Sequence, residues 1–169
     1  MERKFIVATA LMTLSSMAVG SDGSTVIAKE RYSAAYHRAY EEGQSCVAVS
    51  HTGNALEQAV IAITSYDDGR RKLLLLLKRS QTGIIANFDL DKSVRFTTYT
   101  HDDNIEFELK PTGLRSWAAD TDFYPEIKTN INSPIKLTLS QGMLTKDSFF
   151  YFDDAVIQSY TACTNQIST

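Results

Sequence analysis

The sequence predicts an all-β fold, an antiparallel β-sandwich or small barrel with a short C-terminal helix, and three observations predict it. Apolar residues recur in short runs of strand length, turn residues separate those runs, and no long helical pattern intervenes. The composition agrees with one folded domain: 169 residues, 43% hydrophobic and 22% charged, with only 3 Pro and 8 Gly. Such a chain can bury a single core, and it is neither collagen-like nor disordered.

Residues 1–20 read as a secretory signal peptide. Arg3 and Lys4 make a basic start, Phe5 to Leu14 is apolar apart from Thr9 and Thr13, and small Ser16, Ala18 and Gly20 offer cleavage after Ala18 or after Gly20. The alternative is a short membrane anchor, for which the apolar stretch falls below the ~20 residues a spanning helix needs. Taking Glu2, Arg3 and Lys4 from the 20 acidic and 17 basic residues leaves 19 and 15, a net charge of -4 for the processed chain. No later segment is long and apolar enough to span a bilayer.

Residues 21–30 read as a loose leader, and 31–169 as a single β-rich domain. Lys29 to Glu42 is ambiguous. Tyr32, Tyr36 and Tyr40 recur every four residues, which slightly favours a helix, yet even-numbered positions also share one face of a strand. Glu41-Glu42-Gly43 correspondingly reads as a helix C-terminus or a hairpin turn.

Strands follow at Val47 to Ser50, before Thr52-Gly53-Asn54, and at Val60 to Thr64, before Asp67-Asp68-Gly69. Leu73 to Leu77 reads as a buried strand and Gly83 to Phe88 as another. Val94 to Tyr99 alternates in part and Ile105 to Leu109 strictly, on either side of Asp102-Asp103-Asn104, the pattern of a hairpin with one wet face. Ile135 to Leu139 and Phe149 to Phe152 complete the strands. Asp154 is placed to cap a short helix from Ala155 to about Cys163, with Val156, Ile157 and Tyr160 on one side.

Catalytic signatures are lacking. His37, His51 and His101 show no metal-ligand spacing, and His101-Asp102-Asp103 reads as a solvated turn, so no metal and no other cofactor is expected. There is no Gly-x-Ser-x-Gly elbow and no phosphate loop. Ser50 and His51 are adjacent and would face opposite sides of a strand, poor geometry for a nucleophile and its base. Asp153-Asp154 reads as helix capping. The acidic balance gives no foothold for nucleic acid.

Cys46 and Cys163 allow one intramolecular pairing, which an oxidising compartment would favour; two separate buried thiols are the alternative. The bond would close a loop worth on the order of 4–5 kcal/mol in the chain-entropy picture. Arg70, Arg71 and Lys72 precede the Leu run and Lys78 and Arg79 follow it, either as gatekeepers or as an anion-binding site. Trp117, near Phe123 and Tyr124, reads as core or as an exposed platform. Trp117, Arg70 and Arg71 are therefore the candidate contact residues, on loops such as Ser65 to Arg71 and Lys110 to Phe123.

Cys46-Val47-Ala48-Val49-Ser50 resembles the first-cysteine strand of the invasion-associated locus B family of exported bacterial proteins. Ser116-Trp117 is similar to that family's mid-chain tryptophan segment, Gln141 to Phe149 to its Gly-x-x-Thr-x-Asp-x-aromatic stretch, and Ala155 to Cys163 to its terminal helix closing on a second cysteine. The resemblance covers roughly residues 30–163. Ser116 replaces a usual alanine, Tyr32 a tryptophan, and a second internal cysteine pair is absent. The resemblance implies an all-β secreted fold, a strand over Lys29 to Glu42, and no active site.

Three function classes follow, in order of preference. The first is a periplasmic or secreted, non-enzymatic binding or host-interaction protein that takes a protein or glycan partner. The second is a periplasmic inhibitor or stress-associated accessory with one protein partner, and the third a small envelope hydrolase without a recognisable motif.

Overall fold

The computed structural model describes residues 23–51, 59–77, 87–99, 104–113 and 115–168. Among the described residues ten strands run β1 (Gly23–Lys29), β2 (Ser33–Tyr40), β3 (Gly43–His51), β4 (Ala59–Tyr66), β5 (Arg71–Leu77), β6 (Val94–Tyr99), β7 (Asn104–Gly113), β8 (Ser116–Ala119), β9 (Ile135–Gln141) and β10 (Leu144–Phe150). Helix α1 (Tyr124–Thr129) lies between β8 and β9, and α2 (Asp154–Ile167) follows β10. All neighbouring strands are antiparallel, in the order β1-β2-β3-β4-β5-β8-β7-β6-β9-β10, with β1 and β10 at the open edges.

Strand β7 divides the sheet into two wings. Its first half, Asn104 to Leu109, pairs with β6, whereas Lys110, Pro111 and Gly113 pair with β8 across a register shift. Pro111 cannot donate to a ladder, and such residues are tolerated where a strand bends or bulges. The inward residues of both wings then share one core: Ala48, Ile61, Leu73 and Leu75 from the first, Phe96, Leu109, Leu137 and Phe150 from the second.

Alternation sets each strand's orientation. Leu73, Leu75 and Leu77 are buried inward while Leu74 and Leu76 are half-buried on the other face, so the Leu run is an alternating strand with apolar residues on both sides. Positive φ at Gly69 and Gly142, +86° and +59°, lets two hairpins reverse where an L side chain would be strained.

Two serine hydroxyls hold the end of β10 against the first wing. Ser50 Oγ accepts the Tyr151 N–H at 3.1 Å and donates to the Tyr151 carbonyl at 2.5 Å. Ser33, its register partner, accepts the Asp153 N–H at 2.9 Å and donates to the Asp153 carboxylate at 2.6 Å. Ser50 thus bridges the first wing to the chain just after β10.

Several elements differ from the sequence reading. Ser33–Tyr40 is a strand, not a helix, because the neighbouring Cys46 strand pairs with it along its whole length. Residues 41–42 form the hairpin turn. Gly23–Lys29 pairs with β2 and belongs to the sheet instead of to a leader. The last strand starts at Leu144 and ends at Phe150, and β7 continues past Leu109 through Pro111, so Lys110 to Phe123 is largely strand. Helix α2 is a turn longer than expected, and its N-cap position is Asp153, whose carboxylate is taken by Ser33 and makes no capping bond. The signal segment, the turn at 52–54, residues 83–86 of the expected strand, Lys78, Arg79, His101, Asp102 and Asp103 lie outside the described residues.

Candidate binding cleft

Helix α2 crosses the inner face of the first wing, packing on β1 to β4. Val156, Ile157, Tyr160 and Cys163 form its buried stripe, the spacing of one helix face. Beneath it, register aligns Thr25, His37, Cys46, Ser65 and Arg71 in one row across β1 to β5. The helix meets that row at two points. The buried Tyr160 hydroxyl is hydrogen-bonded to Ser65 Oγ, and Cys163 is joined to Cys46 by a disulfide with Cα atoms 6.0 Å apart. Burial raises the Tyr160 phenol above its ordinary pKa, with the Ser65 bond acting the other way.

Towards β1 the row and the helix part, leaving a cleft of about 450 Å³. Thr25, Ile27, His37 and Gln44 line the sheet side; Ser159, Ala162, Cys163, Gln166 and Ile167 line the helix side. His37 Nε2 is 2.9 Å from Gln44 Oε1, and the Gln44 N–H donates to the Asp67 carboxylate at 2.7 Å, fixing the hairpin from behind. Ile27 enters through a register shift between Val26 and Ala28, a bulge that re-aims a side chain. The cleft is open to solvent and mixes apolar wall with donors and acceptors. Its imidazole contacts the Gln44 amide; the hydroxyls of Thr25 and Ser159 share the lining, and no carboxylate is among the lining residues.

The residues favoured by sequence lie elsewhere. Trp117 is 0% exposed, with its indole N–H donating to the Lys92 carbonyl at 2.8 Å, so it is a core residue and its role as a contact is withdrawn. Phe123 is buried beside Phe96 and Phe107, and Tyr124 bonds Thr161 at 2.7 Å. Arg70 stays exposed on the Asp67-Asp68-Gly69 turn, bound to Asp68 at 2.6 Å and lying over the Tyr66 ring at 4.8 Å. Hydrogen bonds from the Arg70 backbone and guanidinium hold the Asp68 carboxyl below its usual range. Arg71 starts β5 half-buried opposite Ser65, and Lys72 lies 3.7 Å from Asp120, so the three cations do not converge. The His51 ring lies tilted against Tyr32, centroids 6.4 Å apart, far in register from the cleft row.

Sequence reading missed the cleft because it depends on where α2 crosses the sheet. The legible trace was the second helix face, Ser159, Ala162 and Gln166, with small and polar residues where the first face has apolar ones. Among the described residues no three His, Cys, Asp or Glu side chains are grouped to hold a metal ion, and no helix is long and apolar enough to cross a membrane. No family model, curated protein or solved structure matches the chain.

Proposed function

We propose that the chain is an exported binding protein, periplasmic or secreted, that uses the cleft between α2 and β1 to β3 to hold a partner and has no catalysis of its own. The observation that carries the reading is a cleft of about 450 Å³ whose two walls are covalently joined by the Cys46–Cys163 disulfide. A fixed cleft loses little conformational entropy on binding, which is what recognition by a small domain requires. The N-terminal signal pattern supports export, and the resemblance to the invasion-associated locus B family supports a host-directed role within it.

Ala162 is exposed on the cleft wall, so Ala162→Trp fills the cleft without touching the core. The exported protein should capture a partner from periplasmic or host-cell extract, and A162W should lose it while keeping the same melting temperature. Equal capture by both forms overturns the cleft as the site. Turnover of an envelope polymer, abolished by replacing His37, would turn the reading towards a hydrolase.

A further inference from the structure

The cleft opens onto β1, an edge strand on whose outer side no described strand pairs. Edge strands are ordinarily guarded by charge. The opposite edge, β10, carries Lys146 and Asp147 in mid-strand, whereas the charge of β1 is confined to Lys29 at its last position, and Val26 and Ile27 are 51% and 37% exposed. Pairing with β2 is regular from Gly23 to Val26, so this part of the edge offers an ordered row of backbone donors and acceptors. Only a polypeptide can answer such a row.

The charge around the cleft selects within that class. Glu41 and Glu42 form the turn beside Gln44, and Asp67 accepts the Gln44 N–H, so three carboxylates lie near the cleft although none is among its lining residues. The last turn of α2, at the cleft, has no basic residue of its own, so its terminal carbonyls favour a donor or a cation. The nearby cations are engaged or averted: Arg70 is held by Asp68, Arg38 sits one residue out of step with the cleft-lining His37, on the other face of β2, and Lys29 ends β1 in register with Ala34 of the outer-face cluster.

We infer that β1 and the adjoining cleft take an extended polypeptide strand by backbone pairing, with one lysine or arginine side chain of that strand lowered into the cleft. This rests on the cleft being the binding site. Main-chain bonds to β1 supply affinity and the basic side chain supplies selectivity. Ile27, turned into the cleft by the bulge, packs against the methylene stem of the incoming side chain, while Gln44 and Gln166 meet its head.

Short linear peptides displayed on phage are selected on the immobilised exported protein and then synthesised. The expected winners alternate β-branched residues around one Lys or Arg, and replacing that residue by Glu weakens binding by about tenfold or more. N-methylation of alternate amides should abolish binding on one edge of the peptide and leave it unchanged on the other. Binding lost in A162W but indifferent to N-methylation overturns strand addition while leaving the cleft as the site. Peptides that bind A162W and wild type equally overturn both. No enrichment, or tolerance of Glu at the anchor, overturns the inferred partner, with capture from extracts still judging the cleft. A dimer dispersed by Val26→Lys assigns the edge to a second copy of the chain and likewise overturns it.

Discussion

The two wings of the sheet solve the same alternation differently. In the second wing, Phe96, Leu137 and Leu139 point into the core while the other face carries Arg95, Glu106, Lys136 and Asp147 in two exposed ion pairs, a strand pattern with one wet side. In the first, both faces are apolar: Ala48, Ile61 and Leu73 lie inward, and Ala34, Tyr36, Val47 and Ala62 form a second buried cluster on the outer face. The first wing also carries the helix, the disulfide and the cleft. Covalent fixation and the cleft thus coincide, and the polar wing serves as the closing wall of the core.

If that division holds, breaking the disulfide should cost most. Cys46 and Cys163 are 117 residues apart, so the doubly substituted protein, Cys46→Ala with Cys163→Ala, should lose about 4–5 kcal/mol in urea unfolding. Reduction of the wild type should have a similar effect, and α2 amides should then exchange faster than those of β6 and β9. Uniformly faster exchange in both wings would mean that the helix stabilises the whole core and that the comparison is too sharp.

Trp117 joins the wings. It sits on β8 in the first sheet, opposite Pro111, and its indole reaches Lys92 in the loop before β6. Gln141 supports the same loop, its amide donating to Asp89 at 2.9 Å and Lys92 at 3.1 Å. Trp117→Ala should cost about 3–5 kcal/mol, as large-to-small changes at buried aromatics do. Trp117→Phe should recover most of the packing but not the hydrogen bond, which separates the two contributions by equilibrium denaturation.

Ser50 tests the closure between β10 and the first wing. Ser50→Ala removes both the acceptor for the Tyr151 N–H and the donor to its carbonyl at a buried position. The expected loss is about 1–3 kcal/mol, that of leaving buried backbone groups unpaired. Faster hydrogen exchange at Tyr151 with β2 unchanged would sharpen the assignment, whereas an unchanged urea midpoint would show that solvent replaces the hydroxyl.

These contrasts explain what the sequence disclosed. Val94 to Tyr99 and the Ile135 run were legible because their alternation is the local record of one wet face. Ser33–Tyr40 was ambiguous because apolar residues on both faces erase that record, and a four-residue tyrosine spacing satisfies both periods. The helix announced itself by its apolar stripe, and the pairing of Cys46 with Cys163 by there being no third cysteine. The burial of Trp117 and the opening beside β1 were illegible for one reason: each is made by segments distant in the chain.

The smallest expected effect belongs to the polar face of the second wing. Asp147 accepts from Thr138 Oγ1 at 2.7 Å and lies 3.1 Å from the Lys136 ammonium, which itself sits over the Tyr99 ring. The Thr138 bond, then Lys136, hold the Asp147 carboxyl below its ordinary range. A depressed folded-state pKa adds stability above the unfolded value of about 3.9 and loses it as pH falls through the folded value. Half-exposed partners in water make that increment small, about 0.2–1 kcal/mol. Urea midpoints taken at neutral pH and in acid should therefore differ less for Asp147→Asn than for wild type, the two proteins converging once the carboxyl is protonated. An Asn variant as pH-dependent as wild type would remove Asp147 from the account. A loss well beyond the exposed-pair range would mean that this face is more than a solvated wall, and the contrast between the wings would then rest on the disulfide alone.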